Sequence, residues 1–192
     1  MKCPWVYGAN ENLIKYHDEV WCKEIHDEQE LFKRLCLLTF QCGLKWEMIL
    51  DKQSILEEQF ENFVPEKLVT LNLEQDFVIN NPRKINAVIH NAQTLLKLHA
   101  TGHSLDELVW KNTNYRTINN EWTKVEQIPC ESALSKVVAK KFRQANFCFV
   151  GPKSMYSYLQ MVGVINDHLI TCENKFVDKL WLIILYCEIY FR

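Results

Sequence analysis

Apolar residues recur at helical spacing along most of this chain, and the polar residues flanking each run mark where a helix starts and stops. Asp27, with Glu30 three positions on, reads as the N-cap of a run carrying Leu31, Leu35 and Leu38, and Gly43 as its stop, which predicts a helix over 28–41. Trp46, Ile49, Leu50, Ile55 and Leu56 form a second amphipathic run, and Pro65 suits the first turn of a short helix. Ile85, Val88, Ile89, Ala92, Leu95 and Leu96 mark one face of a longer helix, and Ser104 with Glu107 forms a capping box opening LDELVW. Residues 111–128 lack any period and read as the longest loop. Leu134, Val137, Val138 and Phe142 then restore the helical spacing, and Pro152 to Met161 forms a last helix ended by Gly163. With neither strand-like alternation nor an internal repeat, the pattern predicts an all-α fold.

Composition bounds this picture. A chain of 192 residues that is 48% hydrophobic supports one substantial core, so 1–192 reads as a single compact domain. Five glycines and five prolines, scattered along the chain, argue against a flexible linker. The net charge of −2 gives no global pull toward nucleic acid, so any such contact must come from a local basic face. Eight cysteines follow an N-terminus without a charged and then apolar leader, which predicts a reducing, cytoplasmic location and thiols or metal ligands in place of disulfides. The apolar run 180–191 contains Glu188 and falls short of the roughly 20 residues that span a bilayer, so it reads as a packed terminal helix or strand with no membrane partner. G-x-S-x-G, Walker, Rossmann and H-E-x-x-H motifs are absent.

His168 and Cys172 are four residues apart, which on a helix puts both on one face and lets both bind one ion, although the spacing alone fits packing equally. Cys3 and His17 are the best candidates to complete a tetrahedron, and four protein ligands make such a site structural. Cys22, Cys36, Cys42, Cys130, Cys148 and Cys187 lack a CxxC spacing and read as small core residues. Tyr16, Trp21 and Trp46 lie near polar or turn residues and fit either core packing or a stacking pocket for a flat cation. Gly151 sits in a turn between two helices where backbone amides and Lys153 suit a phosphate. Lys136, Lys140, Lys141 and Arg143, with a smaller Arg83 and Lys84 group, read as a solvated face or a DNA-facing one.

In chain order, CPWV, YHDEVW, QCGLKW, RKINAVIHNA, ALSK and FCFVGPKSMYSYLQMVGVINDH together resemble the 3-methyladenine DNA glycosylase I family, from Cys3 to Cys172. The resemblance implies a helix-hairpin-helix glycosylase fold and hydrolysis of the N-glycosidic bond of 3-methyladenine in alkylated double-stranded DNA, by a monomer in base excision repair. It implies a structural zinc on Cys3, His17, His168 and Cys172, base binding by Tyr16, Trp21 and Trp46, and a DNA-gripping hairpin of Phe149, Val150, Gly151 and Lys153. The family's base-reading glutamate, three residues before the QxGLxW block, is Leu38 here, with Phe40, Leu13 and Asn146 as further departures and Glu47 as the nearest carboxylate. Leu38 opens a second reading, a lesion-binding homologue with impaired catalysis. A third, from a different class, is a helical interaction protein docking through 180–191.

Overall fold

The computed structural model describes residues 1–176; the stretch 180–191, with the packing predicted for it, lies outside them. The described residues form α1 (Glu11–Glu19), α2 (Glu28–Gln41), α3 (Trp46–Asp51), α4 (Gln53–Gln59), α5 (Pro65–Leu68), α6 (Pro82–Ala100), α7 (Leu105–Trp110), α8 (Ala133–Gln144) and α9 (Pro152–Met161). The fold is mostly helical, as the apolar spacing predicts. Asp27 caps α2 by accepting from Glu30 N at 2.8 Å, but the Glu30 side chain turns to Lys33 and Arg34, so half of the expected capping box forms. The run after Trp46 breaks at Lys52 into two short helices. No helix among the described residues is long and apolar enough to cross a membrane.

Two features depart from the sequence pattern. The segment before Trp21 is a helix, α1, capped by the Asn10 side chain accepting from Leu13 N at 3.0 Å. The 111–128 segment is tied down: β1 (Ile118–Asn119) pairs in parallel with β2 (Ile165–Asn166). Just beyond that pairing, Asn120 Nδ2 and Trp122 Nε1 both donate to Asp167 Oδ1 at 2.7 Å, while Tyr156 and Gln160 donate to its other oxygen. Asp167 is fully buried, and four donors replace the water it lost.

One buried cluster runs from Cys3 to Cys172. Its axis is α2, whose residues 35–40 are buried on every side, with α6, α7 and α9 packed around it. Gly163 has φ +82°, and a Cβ there would lie 2.4 Å from the Lys23 backbone, so only glycine lets the end of α9 meet the segment after α1. Cys22 N donates to Gln160 O at 3.0 Å and Ile25 N to Val162 O at 3.2 Å across that contact. This is what fixes Trp21. Lys84, grouped with Arg83 on a basic face by its sequence position, is instead buried and donates to Phe40 O at 2.6 Å, satisfying a carbonyl at the C-terminal end of α2.

Candidate functional site

Tyr16 from α1, Trp21 from the segment after it, Leu38 from α2 and Trp46 from α3 line one cavity of about 430 Å³, closed on the α9 side by Ser157, Gln160 and Met161. That volume suits a small flat ligand. The rings meet edge to face: Tyr16 and Trp46 have centroids 5.2 Å apart at 65°, and Trp5 stands 5.0 Å from Trp21 at 88°. Burial pushes the Tyr16 hydroxyl well above its usual pKa, so it stays a neutral donor. Trp46 Nε1 is buried, and no acceptor among the described residues reaches it. Leu38, on the same wall, adds only apolar surface. A larger cavity on the other side of the Tyr16 and Trp46 pair is lined by charges that already neutralise one another, such as Lys33 with Glu30 and Glu57.

Beside the aromatic pocket lie Cys3, His17, His168 and Cys172, all buried, with one ligand atom from each within 4.8 Å of the others. Cys172 Sγ is 3.4 Å from His168 Nδ1 and 3.6 Å from His17 Nε2, and Cys3 Sγ is 3.6 Å from His168 Nδ1. The ring nitrogen that each histidine turns away from the cluster is engaged: His17 Nδ1 lies 2.8 Å from Asp18 Oδ1, and His168 Nε2 lies 3.4 Å from Trp21 O. Those are the outer partners that orient metal-ligating imidazoles. Burial holds His17 below its usual pKa and His168 down at about 3, so both rings are neutral and offer a lone pair. Burial also pushes the Cys3 thiol up to about 12, which a cation would reverse. The donor set therefore fits a tetrahedral, closed metal site. His168 and Cys172 do not share a helix. Gly163 ends α9, and a turn with Cys172 N donating to Leu169 O at 2.9 Å brings the two side chains to the same side.

The turn joining α8 and α9 is held from α6. Asn91, fully buried, donates to Cys148 O at 3.2 Å and accepts from Cys148 N at 2.7 Å, while His90 Nε2 lies 2.8 Å from Asn146 O. Asn146 and Phe149 take positive φ there, 73° and 60°. Gly151 does not: its φ is −70°, and a Cβ on it would meet nothing within 4 Å, so nothing among the described residues demands glycine. Lys153 is exposed and Phe149 half-buried, but Val150 is buried and can meet a partner only through its backbone. Lys153, Ser157 and Gln160 follow one face of α9, placing the turn about 10 Å from the pocket at 1.5 Å per residue. Asn91→Ala is expected to leave both Cys148 backbone groups unpaired and to cost about 2 kcal/mol, read by denaturant unfolding.

The structure thus gathers Tyr16, Trp21, Trp46 and Leu38 into one pocket and the four Cys and His residues into one cluster. Sequence reasoning missed Trp5 as part of the pocket wall, although its CPWV setting was noted. It also missed Asn91, whose only signal was an amide on an otherwise apolar helix face. Trp21 links the two assemblies, since its carbonyl orients His168 and its ring stands 4.6 Å from the His168 ring.

A model of the methyladenine glycosylase family matches residues 5–175. The chain is similar to the DNA-3-methyladenine glycosylase of Haemophilus influenzae, with 30% identity over 181 residues, 91% of this chain and 97% of that protein. It is similar in fold to the crystal structure of 3-methyladenine DNA glycosylase I, with a TM-score of 0.85 and 29% identity, over 90% of this chain and 98% of that one. A variant of 3-methyladenine DNA glycosylase I in complex with 3-methyladenine matches with a TM-score of 0.82 and 26% identity, over 88% of this chain and 96% of that one.

Proposed function

The chain belongs to the methyladenine glycosylase family, and from that premise we propose that it excises 3-methyladenine from alkylated double-stranded DNA by hydrolysing the N-glycosidic bond, the opening step of base excision repair. The observation that carries this reading is the aromatic pocket, standing at one end of a face of α9 whose other end is the turn at Gly151. In this reading α8, the turn and α9 form the helix-hairpin-helix unit. Backbone amides around Gly151, with Lys153, hold the DNA phosphates, and the damaged nucleotide turns out of the duplex into the pocket.

Adenine alkylated at N3 is a cation while joined to the sugar. As the C1′–N9 bond breaks, its electron pair goes to N9 and the base departs neutral; water then adds to C1′ and gives up a proton. The leaving group is activated by its own charge, so the protein's part is selection and positioning. Tyr16, Trp21 and Trp46 supply electron-rich faces that favour the cation over ordinary adenine. This division of labour is why Leu38 favours retained activity over a silent lesion-binding homologue: an apolar residue at that wall weakens recognition and leaves the bond-breaking chemistry in place.

Zinc is the metal that the Cys₂His₂ donor set fits, and it would act by holding the N-terminal segment, α1 and the 168–172 turn together. The continuous core from Cys3 to Cys172 supports a single domain over the described residues, and the rest of the proposed 1–192 unit lies outside them. The test is release of free 3-methyladenine from methylated duplex DNA, followed by chromatography. Release well above the spontaneous rate is expected, and release at the spontaneous rate overturns the reading.

A further inference from the structure

Among the residues lining the aromatic pocket, Glu47 is the one carboxylate and Lys45 the one cation. Lys45 is exposed, whereas Glu47 is half-buried in the first turn of α3, immediately after Trp46. Glu47 uses one oxygen, Oε1, which accepts from Asn10 N at 3.3 Å; no bond to the other oxygen occurs among the described residues. The holding of α1 against α3 does not depend on it alone, because Asp51, one turn on, accepts from both Asn10 Nδ2 at 2.9 Å and Asn12 Nδ2 at 2.8 Å. The pocket therefore has a spare carboxylate oxygen on Glu47, the one anionic group in its lining. A carboxylate oxygen can accept from the exocyclic amino group of an adenine ring and attracts a positive charge on that ring.

We infer that Glu47 is the charge-reading residue of this pocket, supplying from α3 the negative charge that Leu38 cannot supply from α2. This rests on the proposed role of the pocket as a site for a cationic purine. In that role an otherwise aromatic and apolar wall needs one anion to separate a charged base from a neutral one of the same shape, and Glu47 is the residue positioned to be it. The carboxylate can accept from the amino group of either form, but only the cation adds the attraction between two full charges, so the gain is larger for the cation.

The probes are 3,9-dimethyladeninium, a permanent cation carrying a methyl group where the sugar would be, and neutral 9-methyladenine, each titrated against tryptophan fluorescence. The native protein is expected to prefer the cation. Glu47→Gln keeps an oxygen for Asn10 N and removes the charge, so it should keep its thermal midpoint, lose on the order of tenfold in cation affinity and lose clearly less for the neutral purine. Glu47→Asp, which keeps the charge, should retain most of the preference. If E47Q prefers the cation as strongly as the native protein does, Glu47 is only a clasp for α1 and the inference fails while the pocket's role stands. If neither purine binds the native protein, the pocket reading itself fails and this inference with it.

Discussion

On the proposed zinc site, exchanging Cys172 for serine is expected to abolish zinc binding and to lower the stability by about 4 kcal/mol, which for a chain of this size moves the thermal midpoint by ~10 °C. The size of the effect follows from what the cluster joins. Cys3 precedes α1, His17 lies on it, and His168 and Cys172 follow β2, so a bound ion closes contacts that are far apart in sequence. Without it, Cys3 faces burial as a thiol and His17 and His168 face it as uncharged rings with no ion between them. An acid sensitivity accompanies this. With no ion bound, burial holds His168 well below its usual pKa, at about 3, while an unfolded histidine takes up its proton near 6.5. Across that window the unfolded state binds more protons, so stability is full above the upper limit and falls as the pH drops through it. Metal analysis and chelator-dependent melting check the prediction. A native protein that purifies with far less than one zinc per chain, and melts identically in chelator, would exclude the staple.

How much of this was legible beforehand depends on whether the deciding contact is local. The helices α2, α6, α8 and α9 announce themselves because caps, apolar period and stop signals agree within one stretch of chain. In contrast, α1 hides: its charged Glu11, Lys15, Asp18 and Glu19 crowd out a short apolar face, and its cap, Asn10, opens no glutamate box. The metal ligands were identifiable while their local structure was not, because a turn and a helix both bring residues four apart to one side. Burial was the other blind point. Lys84 is a lysine beside an arginine, the usual mark of a solvated face, yet a carbonyl at the end of α2 draws it inside. Val150 sits in a segment matched to a DNA grip, yet its side chain belongs to the core. The Asn91 bonds to Cys148 span 57 positions, and no periodic pattern encodes a partner at that distance.

The second large effect belongs to Trp46→Ala, for which kcat/KM for 3-methyladenine release is expected to fall on the order of a hundredfold, about 3 kcal/mol, as a stacked face and a cation–π contact are lost together. The kinetic form of the loss discriminates further. Positive charge resides on the base before the bond breaks and passes to the sugar as it breaks, so the attraction between the Trp46 ring and the base is greatest in the bound lesion and fades along the reaction. An interaction of that kind selects the flipped cation without lowering the chemical barrier, and its removal raises KM far more than it lowers kcat. Because Trp46 is half-buried, with its ring edge on Tyr16, the fold should survive the change, and a circular dichroism melt separates lost recognition from lost structure. Single-turnover and saturation kinetics on methylated duplex DNA carry the test. A fall confined to kcat, with KM unmoved, would mean that Trp46 acts on the departing base or the sugar cation instead, and that the pocket holds its lesion by other walls.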